Sequence, residues 1–273
     1  MPRTIRTLTE SEVETLVDWA ALEGWNPGFG DAAVFRAADP DGFIGAFVDG
    51  EIVAGISAVA YGAAFGFIGL YISRPDRRGE GHGKAVWDAG IARLGNRTIG
   101  LDGVAEQQAN YRRMGFVPAY ETVRYSGPVA GLAGGAAAAG RIADILAYDR
   151  TCFPAPRQAF LGGWLQPPRI ALVAMNSGTV SGYGVARPCR EGFKVGPLFA
   201  DDTHVALQLL GALAAPMAGD ALHIDVPAAN SGFIAALQAG GLSPGFTTTR
   251  MYRGGAPRIA SSRVFGISTL ELG

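Results

Sequence analysis

Apolar residues recur along this chain with two different periods, and each period predicts one kind of element. Near the start, one helical face carries Val13, Leu16, Val17 and Ala20, which lie three or four residues apart as an amphipathic helix requires. The preceding Thr9-Glu-Ser-Glu12 has the spacing of a capping box, in which a Thr and a Glu satisfy free amides at a helix start. The pattern therefore predicts a helix that begins directly after this threonine.

A β-hairpin is predicted next, because two apolar runs flank a tight-turn signal. The runs are residues 43–48 and 51–61, and Asp49-Gly50 between them supplies the positive φ angles that a two-residue turn needs. Residues 65–73 form a third apolar strand. Three consecutive strands at this spacing favour an antiparallel sheet.

Helices and strands alternate through the rest of the first half. Residues 84–94 have the pattern of a helix, and Gly95 is its expected C-cap. The predicted elements that follow are a strand at 98–102, a helix at 105–114 and a strand at 120–125. Together with a short strand at residues 4–8, they indicate a mixed, largely antiparallel sheet flanked by helices, in the α/β (α+β) class.

The second half of the chain repeats this order. Its predicted elements are a helix at 141–148, strands at 170–175, 180–186 and 193–198, a helix at 203–217, a strand at 222–226 and a helix at 231–239. Gly115-Phe-Val-Pro-Ala-Tyr-Glu-Thr-Val-Arg124 aligns without gaps with Gly241-Leu-Ser-Pro-Gly-Phe-Thr-Thr-Thr-Arg250, and Asp102 lies opposite Asp225 after a short shift. Because element order and residues agree together, we expect the same module twice.

The two modules are expected to span residues 1–130 and 131–273. The low-complexity stretch at 131–140 is typical of a linker, or of the start of a helix that bridges two domains. A length of 273 residues agrees with two domains of about 150 residues each. A final alternating segment, residues 263–272, is predicted to be a strand that closes the second sheet or crosses to complete the first.

Composition narrows the class of protein. Hydrophobic residues make up 48% of the chain and charged residues 17%, a composition that is typical of proteins with packed cores. The formal net charge of −1 does not favour binding to nucleic acid or to an anionic membrane. Cys152 and Cys189 lie far apart, as free thiols in a reducing compartment would. No signal peptide or membrane-spanning run is recognisable, so a cytoplasmic location is expected.

A glycine-rich loop carries the clearest chemical signal. Arg78-x-x-Gly81-x-Gly83 follows an apolar strand and precedes a helix. In this geometry several backbone amides point at one place beside the positive end of the helix dipole, and glycines let an anion approach them. The loop is therefore predicted to bind phosphate.

Two familiar phosphate loops do not match this spacing. A Walker A motif requires Gly five residues before Gly83 and a hydroxyl after Lys84, where the chain has Arg78 and Ala85. A dinucleotide fingerprint would need a glycine at position 84, in a purely parallel sheet. Both alternatives fail.

The segment Leu70-Tyr-Ile-Ser-Arg-Pro-Asp-Arg-Arg-Gly-Glu-Gly-His-Gly-Lys84 resembles the strand, loop and helix of the GNAT superfamily of acyl-CoA N-acyltransferases. Tyr111-Arg-Arg-Met-Gly-Phe116 is similar to a second motif of that family, and the repeat makes the chain similar to tandem GNAT proteins. The resemblance implies acetyl-CoA, or another acyl-CoA, as cosubstrate. It also implies a set of cofactor-binding residues, namely Tyr71, Ile72, Ser73, Arg78, Gly79, Gly81, His82, Gly83 and Lys84.

The chain departs from the family pattern in two places. Where the family has Asn and Ala before the tyrosine, this chain has Val104 and Gln107. Asn110 and Gln108 are the candidates that replace the lost polar contact. The second half has Ala200-Asp-Asp-Thr203 in place of the loop, and an acidic pair would repel pyrophosphate. The second module is therefore expected not to bind CoA.

Tyr111 is the candidate general acid, because the resemblance places its hydroxyl near the thioester sulfur; the alternative is a packed aromatic residue. Asp102, at the end of the strand beside the one that carries the thioester, is the candidate base. An ordinary strand-end cap and a base acting through water are the alternatives for this carboxylate. The acceptor-site candidates lie in one segment and are Trp25, Asn26, Phe29 and Asp31, although Asp31 could instead cap a helix.

No metal site is predicted, because His82, His204 and His223 do not converge in the sequence. Cys152 has no nearby histidine that would activate it as a nucleophile. The leading interpretation is an acetyltransferase that acts on a small-molecule amine by direct attack. A non-catalytic CoA-sensing or partner-binding protein is the competing class, and a purely structural repeat protein is a third.

Overall fold

The computed structural model describes residues 3–128, 134–135, 137–217 and 219–273. In the first half the elements are β1 (Arg3–Thr7), α1 (Glu10–Leu22), α2 (Asp31–Ala38), β2 (Phe43–Val48), β3 (Glu51–Tyr61), β4 (Phe65–Ser73), α3 (His82–Leu94), β5 (Thr98–Val104), α4 (Ala105–Arg113) and β6 (Val117–Pro128). In the second they are α5 (Ile142–Cys152), α6 (Gln158–Trp164), β7 (Ile170–Asn176), β8 (Thr179–Pro188), β9 (Phe193–Ala200), α7 (Thr203–Ala214), β10 (Ala221–Pro227), α8 (Ser231–Ala239), β11 (Ser243–Arg253) and β12 (Val264–Gly266).

The repeated order of elements predicted from the sequence is present in both halves. The capping box at the start of α1 is formed, since the Thr9 side chain accepts from the Glu12 amide and the Glu12 carboxylate accepts from the Thr9 amide. Helix α6 was not predicted, because two glycines interrupt its short apolar pattern. The final predicted strand was too long: only residues 264–266 pair as a strand. The residues that follow them are buried, apart from the half-buried Leu270, and form no strand.

The two halves share one sheet, and each half contributes a strand to the other. The strand order is β1-β2-β3-β4-β5-β11-β6-β10-β9-β8-β7, with β12 beside β9. Strand β11 of the second half therefore lies beside β5 of the first, and β6 of the first half lies beside β10 of the second. Two separate sheets were expected, and the exchange of β6 and β11 joins them into one. The predicted boundary between residues 130 and 131 lies outside the described residues.

The cores of the two halves are also continuous on one face of the sheet. There, α1 and α2 pack beside α5 and α6, and Phe35 stacks on Trp164 with ring centroids 6.0 Å apart. Phe153 of the second half packs edge-on against Tyr61 of the first at 5.0 Å. Separate clusters lie under α3 and α4, and under α7 and α8. Burial of these shared aromatic rings makes the halves one packing unit.

Two buried ion pairs fasten the exchanged strands. Arg124 on β6 donates to both carboxylate oxygens of Asp225 on β10, at 2.8 and 3.0 Å. Arg250 on β11 donates likewise to Asp102 on β5, at 2.7 and 2.8 Å. These are the residues that the repeat alignment placed opposite each other, so the alignment identified equivalent positions of one pseudo-symmetric arrangement. Bidentate geometry gives each pair strength and a fixed orientation.

The buried pair between Arg124 and Asp225 yields a stability prediction. Asp225→Ala leaves a buried guanidinium without its anion, and we expect a loss of about 3–5 kcal/mol in the free energy of unfolding, measured by urea denaturation. Asp144→Ala breaks the solvent-exposed pair with Arg141 and serves as the control. Equal, small effects of the two substitutions would contradict the role of the buried pair.

Candidate active site

A cavity of about 760 Å³ opens where β4 and β5 separate. The two strands run parallel from Phe65 opposite Thr98 to Ile68 opposite Leu101, and the pairing stops there. Beyond that point Leu70 has a φ of 45° and the register with β3 shifts, which marks a β-bulge. The bulge turns the free edge of β4 toward the cavity, and positive φ at a leucine is strain of the kind found at functional sites.

The predicted loop lies at one end of this free edge. Gly79 and Gly81 have φ angles of 84° and 79°, which favour glycine. Helix α3 begins after Gly81 with no side-chain cap and no acidic residue in its first turn. At Gly83 a Cβ atom would lie 2.9 Å from the Ser73 Oγ and 3.0 Å from the Tyr71 hydroxyl oxygen. The loop is thus a cradle that suits a phosphate group.

Exposed carboxylates lie beside the polar side chains around the loop. Arg78 donates to the Ser73 carbonyl at 3.2 Å and pairs with Glu23 at the end of α1. The His82 Nε2 lies 3.1 Å from the Glu80 carboxylate, and its Nδ1 is buried with no hydrogen-bond partner among the described residues. Exposed ion pairs of this kind contribute little to stability. These groups can therefore exchange a carboxylate for a phosphate oxygen.

The counterpart of the loop in the second half has a different arrangement. The Asp202 carboxylate accepts from the Val205 amide at 2.9 Å and so caps α7 with the protein's own anion. Asp201 accepts a hydrogen bond from the Tyr148 hydroxyl at 2.8 Å and pairs with Arg263 at 3.3 Å. No glycine cradle is present at this helix start, and the positive end of the helix dipole is already neutralised.

The cleft between β9 and β10 in the second half is filled. Parallel pairing stops at Val195 opposite Ile224, as it does in the first half. Strand β12 then pairs with β9 from the other side of the gap, and the Ile267 amide donates to the Asp225 carbonyl at 3.0 Å. The chain itself thus occupies the position that corresponds to the open cavity in the first half.

Tyr111 lies on α4 and lines the cavity. Its ring stacks on Trp87 with centroids 5.4 Å apart, and Trp87 in turn packs against Tyr71. Burial raises the pKa of Tyr111 well above its ordinary value, and the nearby Tyr71 adds to the effect. The phenol therefore stays protonated at neutral pH and can act as a proton donor.

Asp102 also lines the cavity, but its side chain is fully buried. Both of its carboxylate oxygens accept from Arg250. Burial raises the pKa of Asp102, and the charge and hydrogen bonds of Arg250 act against that rise; the role as a base stays a prediction. Asp102 also holds β11 in the sheet through Arg250, which is a structural role that the equivalent Asp225 shares.

Of the four acceptor-site candidates, Trp25 alone lines the cavity. Asn26 exchanges two hydrogen bonds with the Glu191 backbone, at 2.9 and 3.0 Å, and Phe29 is exposed. Asp31 is buried and pairs with Arg169 and Arg187 of the second half. It is not an N-cap, because Gly30 holds that position before α2.

Asn110 likewise does not reach the cavity. Its amide donates to the Gln107 side chain at 2.8 Å, and its oxygen accepts from Arg113. Gln107, one helical turn closer to the start of α4, lines the cavity in its place. By contrast, all nine cofactor-binding candidates of β4 and the loop line it.

Several lining residues were not predicted. The second half contributes Phe246, Thr248 and Leu270, and the first half adds Glu23 and Glu106. Phe246 and Thr248 come from the exchanged strand β11. No local pattern in the sequence indicates that β11 pairs with β5. The repeat alignment places Phe246 opposite Tyr120, but this match does not indicate that Phe246 lines a cavity.

The backbone of Trp25 is held by cations of the second half. The Lys194 ammonium donates to the Trp25 and Asn26 carbonyls at 3.0 and 2.8 Å, and Arg124 donates to the Trp25 carbonyl at 3.1 Å. Lys194 is buried, and burial, reinforced by the nearby charge of Arg124, lowers its pKa to about 8. The wall of the cavity formed by Trp25 is thus fixed from the other half of the chain.

The remaining reactive side chains lie away from the cavity. Burial raises the pKa of Cys152 to about 11, which disfavours the nucleophilic thiolate. Over the described ranges, His, Cys, Asp and Glu side chains form no cluster of three or more that could hold a metal ion. None of the helices in the described part of the chain is long and apolar enough to cross a membrane.

Comparison with known proteins agrees with this geometry. A family model described as the acetyltransferase (GNAT) family matches residues 8–116, and one described as an acetyltransferase (GNAT) domain matches residues 145–266. A curated relative, holothin acyltransferase of Pseudoalteromonas sp. (strain SANK 73390), is 32% identical over 274 residues, which cover 96% of this chain and 92% of the relative.

Solved structures share the architecture. A suggested acetyltransferase from Pyrococcus horikoshii superposes with a TM-score of 0.84 at 22% identity, covering 99% of this chain and 96% of that one. A tandem GNAT protein from the clavulanic acid biosynthesis pathway superposes with a TM-score of 0.61 at 15% identity, covering 93% and 99%. At these identities the likeness concerns the fold.

The buried Lys194 predicts a pH dependence of stability. Its pKa is about 8 in the folded chain against an ordinary 10.5, so between these values the unfolded chain binds more protons and stability rises with pH. Below about pH 8 the cost of burying the charge is fully present. Relative to Lys194→Met, the wild-type free energy of unfolding is expected to rise by about 3 kcal/mol from pH 8 to 10.5. Urea denaturation at several pH values measures this difference, and a difference independent of pH would contradict the lowered pKa.

Proposed function

Because the chain belongs to the GNAT acetyltransferase family, we propose that it transfers an acyl group, in the first place acetyl, from acyl-CoA to an amine. The single observation that carries the proposal is the open cavity of the first half. It joins an uncapped, glycine-rich helix start to the free edge of a bulged strand and to a protonated tyrosine. The helix start suits an anion, the strand edge suits an extended arm, and the tyrosine suits a leaving group that needs a proton.

In this proposal the amides from Gly79 to Lys84 bind the pyrophosphate of acyl-CoA, with Arg78 beside them. The pantetheine arm lies along the free edge of β4, where it takes the place of a neighbouring strand and hydrogen-bonds the backbone of residues 71–73. The thioester then lies near the bulge at Leu70. When bound, acyl-CoA supplies an activated carbonyl carbon and a thiol leaving group.

The reaction is a direct transfer. The acceptor nitrogen, in its neutral form, attacks the carbonyl carbon, a C–N bond forms and the C–S bond breaks. Tyr111 donates its proton to the departing thiolate, the proton lost by the nitrogen passes to water, and water returns a proton to Tyr111. Since Asp102 is engaged by Arg250, the protein's main contribution is to position the reactants and protonate the leaving group.

The acceptor is proposed to enter at the junction of the two halves. Trp25 lines the cavity from the first half, and Phe246 lines it from the second. Apolar walls of this kind suit a small molecule better than a charged peptide. The relative that acts as holothin acyltransferase makes holothin the first acceptor to test, alongside a panel of simple amines.

The second half has a supporting role in this scheme. Its helix start carries Asp202 as a cap and its cleft holds β12, so it binds no CoA. It provides one wall of the acceptor site and anchors the other through Lys194 and Arg124. One CoA-binding site per chain is therefore expected.

A substitution in the loop tests the acyl-CoA site. Gly83→Val places side-chain atoms against Ser73 and Tyr71, and we expect acetyl-CoA affinity to fall at least about tenfold, since the amides are held away from the anion. Isothermal titration calorimetry measures the change. Asp202→Asn, at the equivalent helix start of the second half, is the control and should bind as the wild type does. Unchanged binding by Gly83→Val would refute the loop assignment.

A second substitution tests the general acid. Tyr111→Phe removes the hydroxyl and keeps the packing against Trp87, so acetyl-CoA affinity should persist while kcat falls by about a hundredfold or more. CoA release, followed with a thiol reagent, measures kcat. Tyr125→Phe removes the hydroxyl of a buried tyrosine remote from the cavity and should leave kcat unchanged. If wild-type protein binds acetyl-CoA but acylates no amine, the competing CoA-sensing class is favoured.

A further inference from the structure

The segment of residues 264–273, here called the closing segment, crosses the clefts of both halves. At Gly196 in the second half, a Cβ atom would lie 2.5 Å from the carbonyl oxygens of Ile267 and Ser268. At Gly69 in the first half, it would lie 2.1 Å from the Glu271 carbonyl oxygen. The closing segment thus passes directly over the point where the parallel strands part in each half, and glycine is required there because no side chain fits.

Hydrogen bonds hold the closing segment against the first half. The Ser57 hydroxyl donates to the Glu271 carbonyl at 3.2 Å, and the Tyr61 hydroxyl donates to the Leu272 carbonyl at 3.0 Å. The Leu272 amide donates to the Thr269 hydroxyl at 2.8 Å. Because these partners are themselves buried, the segment is a fixed wall and not a mobile cover.

Leu270 is the one residue of the closing segment that is not fully buried. Its side chain lines the cavity, together with Ile68 and Leu101, which form the last paired positions of β4 and β5. These three apolar residues lie at the end of the cavity where the pairing of β4 and β5 stops, here called the closed end. The phosphate-binding loop lies at the opposite end of the free edge of β4.

This arrangement gives the cavity a direction. An arm that begins at the loop and follows β4 from Ser73 toward Ile68 advances about 3.3 Å for each residue of the strand. Whatever is attached to the end of the arm meets the closed end. A rigid apolar wall there leaves room for a short acyl group and excludes a longer one, since a packed interior tolerates little added volume.

We propose that Leu270 is a specificity-determining residue that limits the transferred acyl group to short chains, acetyl and propionyl. The inference rests on the proposed acyl-CoA site of the first half. It assigns to the second half a direct part in the choice of acyl donor, through a segment that reaches back across the shared sheet.

The test compares acetyl-, propionyl-, butyryl- and hexanoyl-CoA with the full chain. In Leu270→Ala the ratio of kcat/KM for butyryl-CoA to that for acetyl-CoA should rise at least about tenfold, the scale on which pockets distinguish added methylenes. Leu270→Phe should act in the opposite direction and lower the ratio for propionyl-CoA to acetyl-CoA. The two variants together keep the test decisive if one of them folds poorly.

Phe246→Ala is the matched control, because Phe246 lines the same cavity from strand β11. It should raise the KM of the amine and leave the acyl-CoA ratios unchanged. Active Leu270 variants whose acyl-CoA ratios equal those of the wild type would overturn the proposal, as would variants that alter the amine KM alone.

Calorimetric titration separates this inference from the proposed function. If the wild-type chain acylates no amine, the proposed catalysis fails, but binding of butyryl-CoA against acetyl-CoA still tests Leu270. If Leu270→Ala raises the affinity for butyryl-CoA relative to acetyl-CoA, the proposed role of Leu270 is supported. If this relative affinity equals that of the wild type, the proposal is overturned.

Discussion

The pairing of two arginines with two aspartates at the centre of the sheet is the interaction on which the rest of the molecule depends. Arg124 of the first half pairs with Asp225 of the second, and Arg250 of the second half pairs with Asp102 of the first. Burying these charges is tolerable only because each pair is bidentate. The exchange they stabilise brings β11 beside β5, and with it Phe246 and Thr248 reach the cavity of the first half.

The same fold thus occurs twice with different consequences. In the first half, the strands part around an open cavity, and the helix start beside it has no cap. In the second half, Asp202 caps the helix and β12 fills the cleft. In the proposed scheme, one copy of the module holds the ligand site and the other copy supports it. Lys194 shows this support most directly, since it holds the backbone of Trp25.

Local features could be predicted from the sequence, and contacts between distant segments could not. The hairpin, the glycine loop and the repeat follow from short-range rules of turn geometry and periodicity, and the loop residues indeed line the cavity. The exchange of β6 and β11 has no local signature, so two sheets were expected. The ion pair of Asp102 was missed for the same reason: its partner Arg250 is 148 positions away. The sequence of the closing segment has the pattern of a strand. Its position over the clefts depends on Gly69 and Gly196, which are distant in sequence and leave room for its backbone.

The central claim is that one half binds acyl-CoA and the other half cannot. The stoichiometry of acetyl-CoA binding to the full chain, determined by isothermal titration calorimetry, tests it most directly. The account predicts a single site per chain, because the second half lacks both a free helix start and an open cleft. Two equivalents of acetyl-CoA bound per chain, or none, would contradict it.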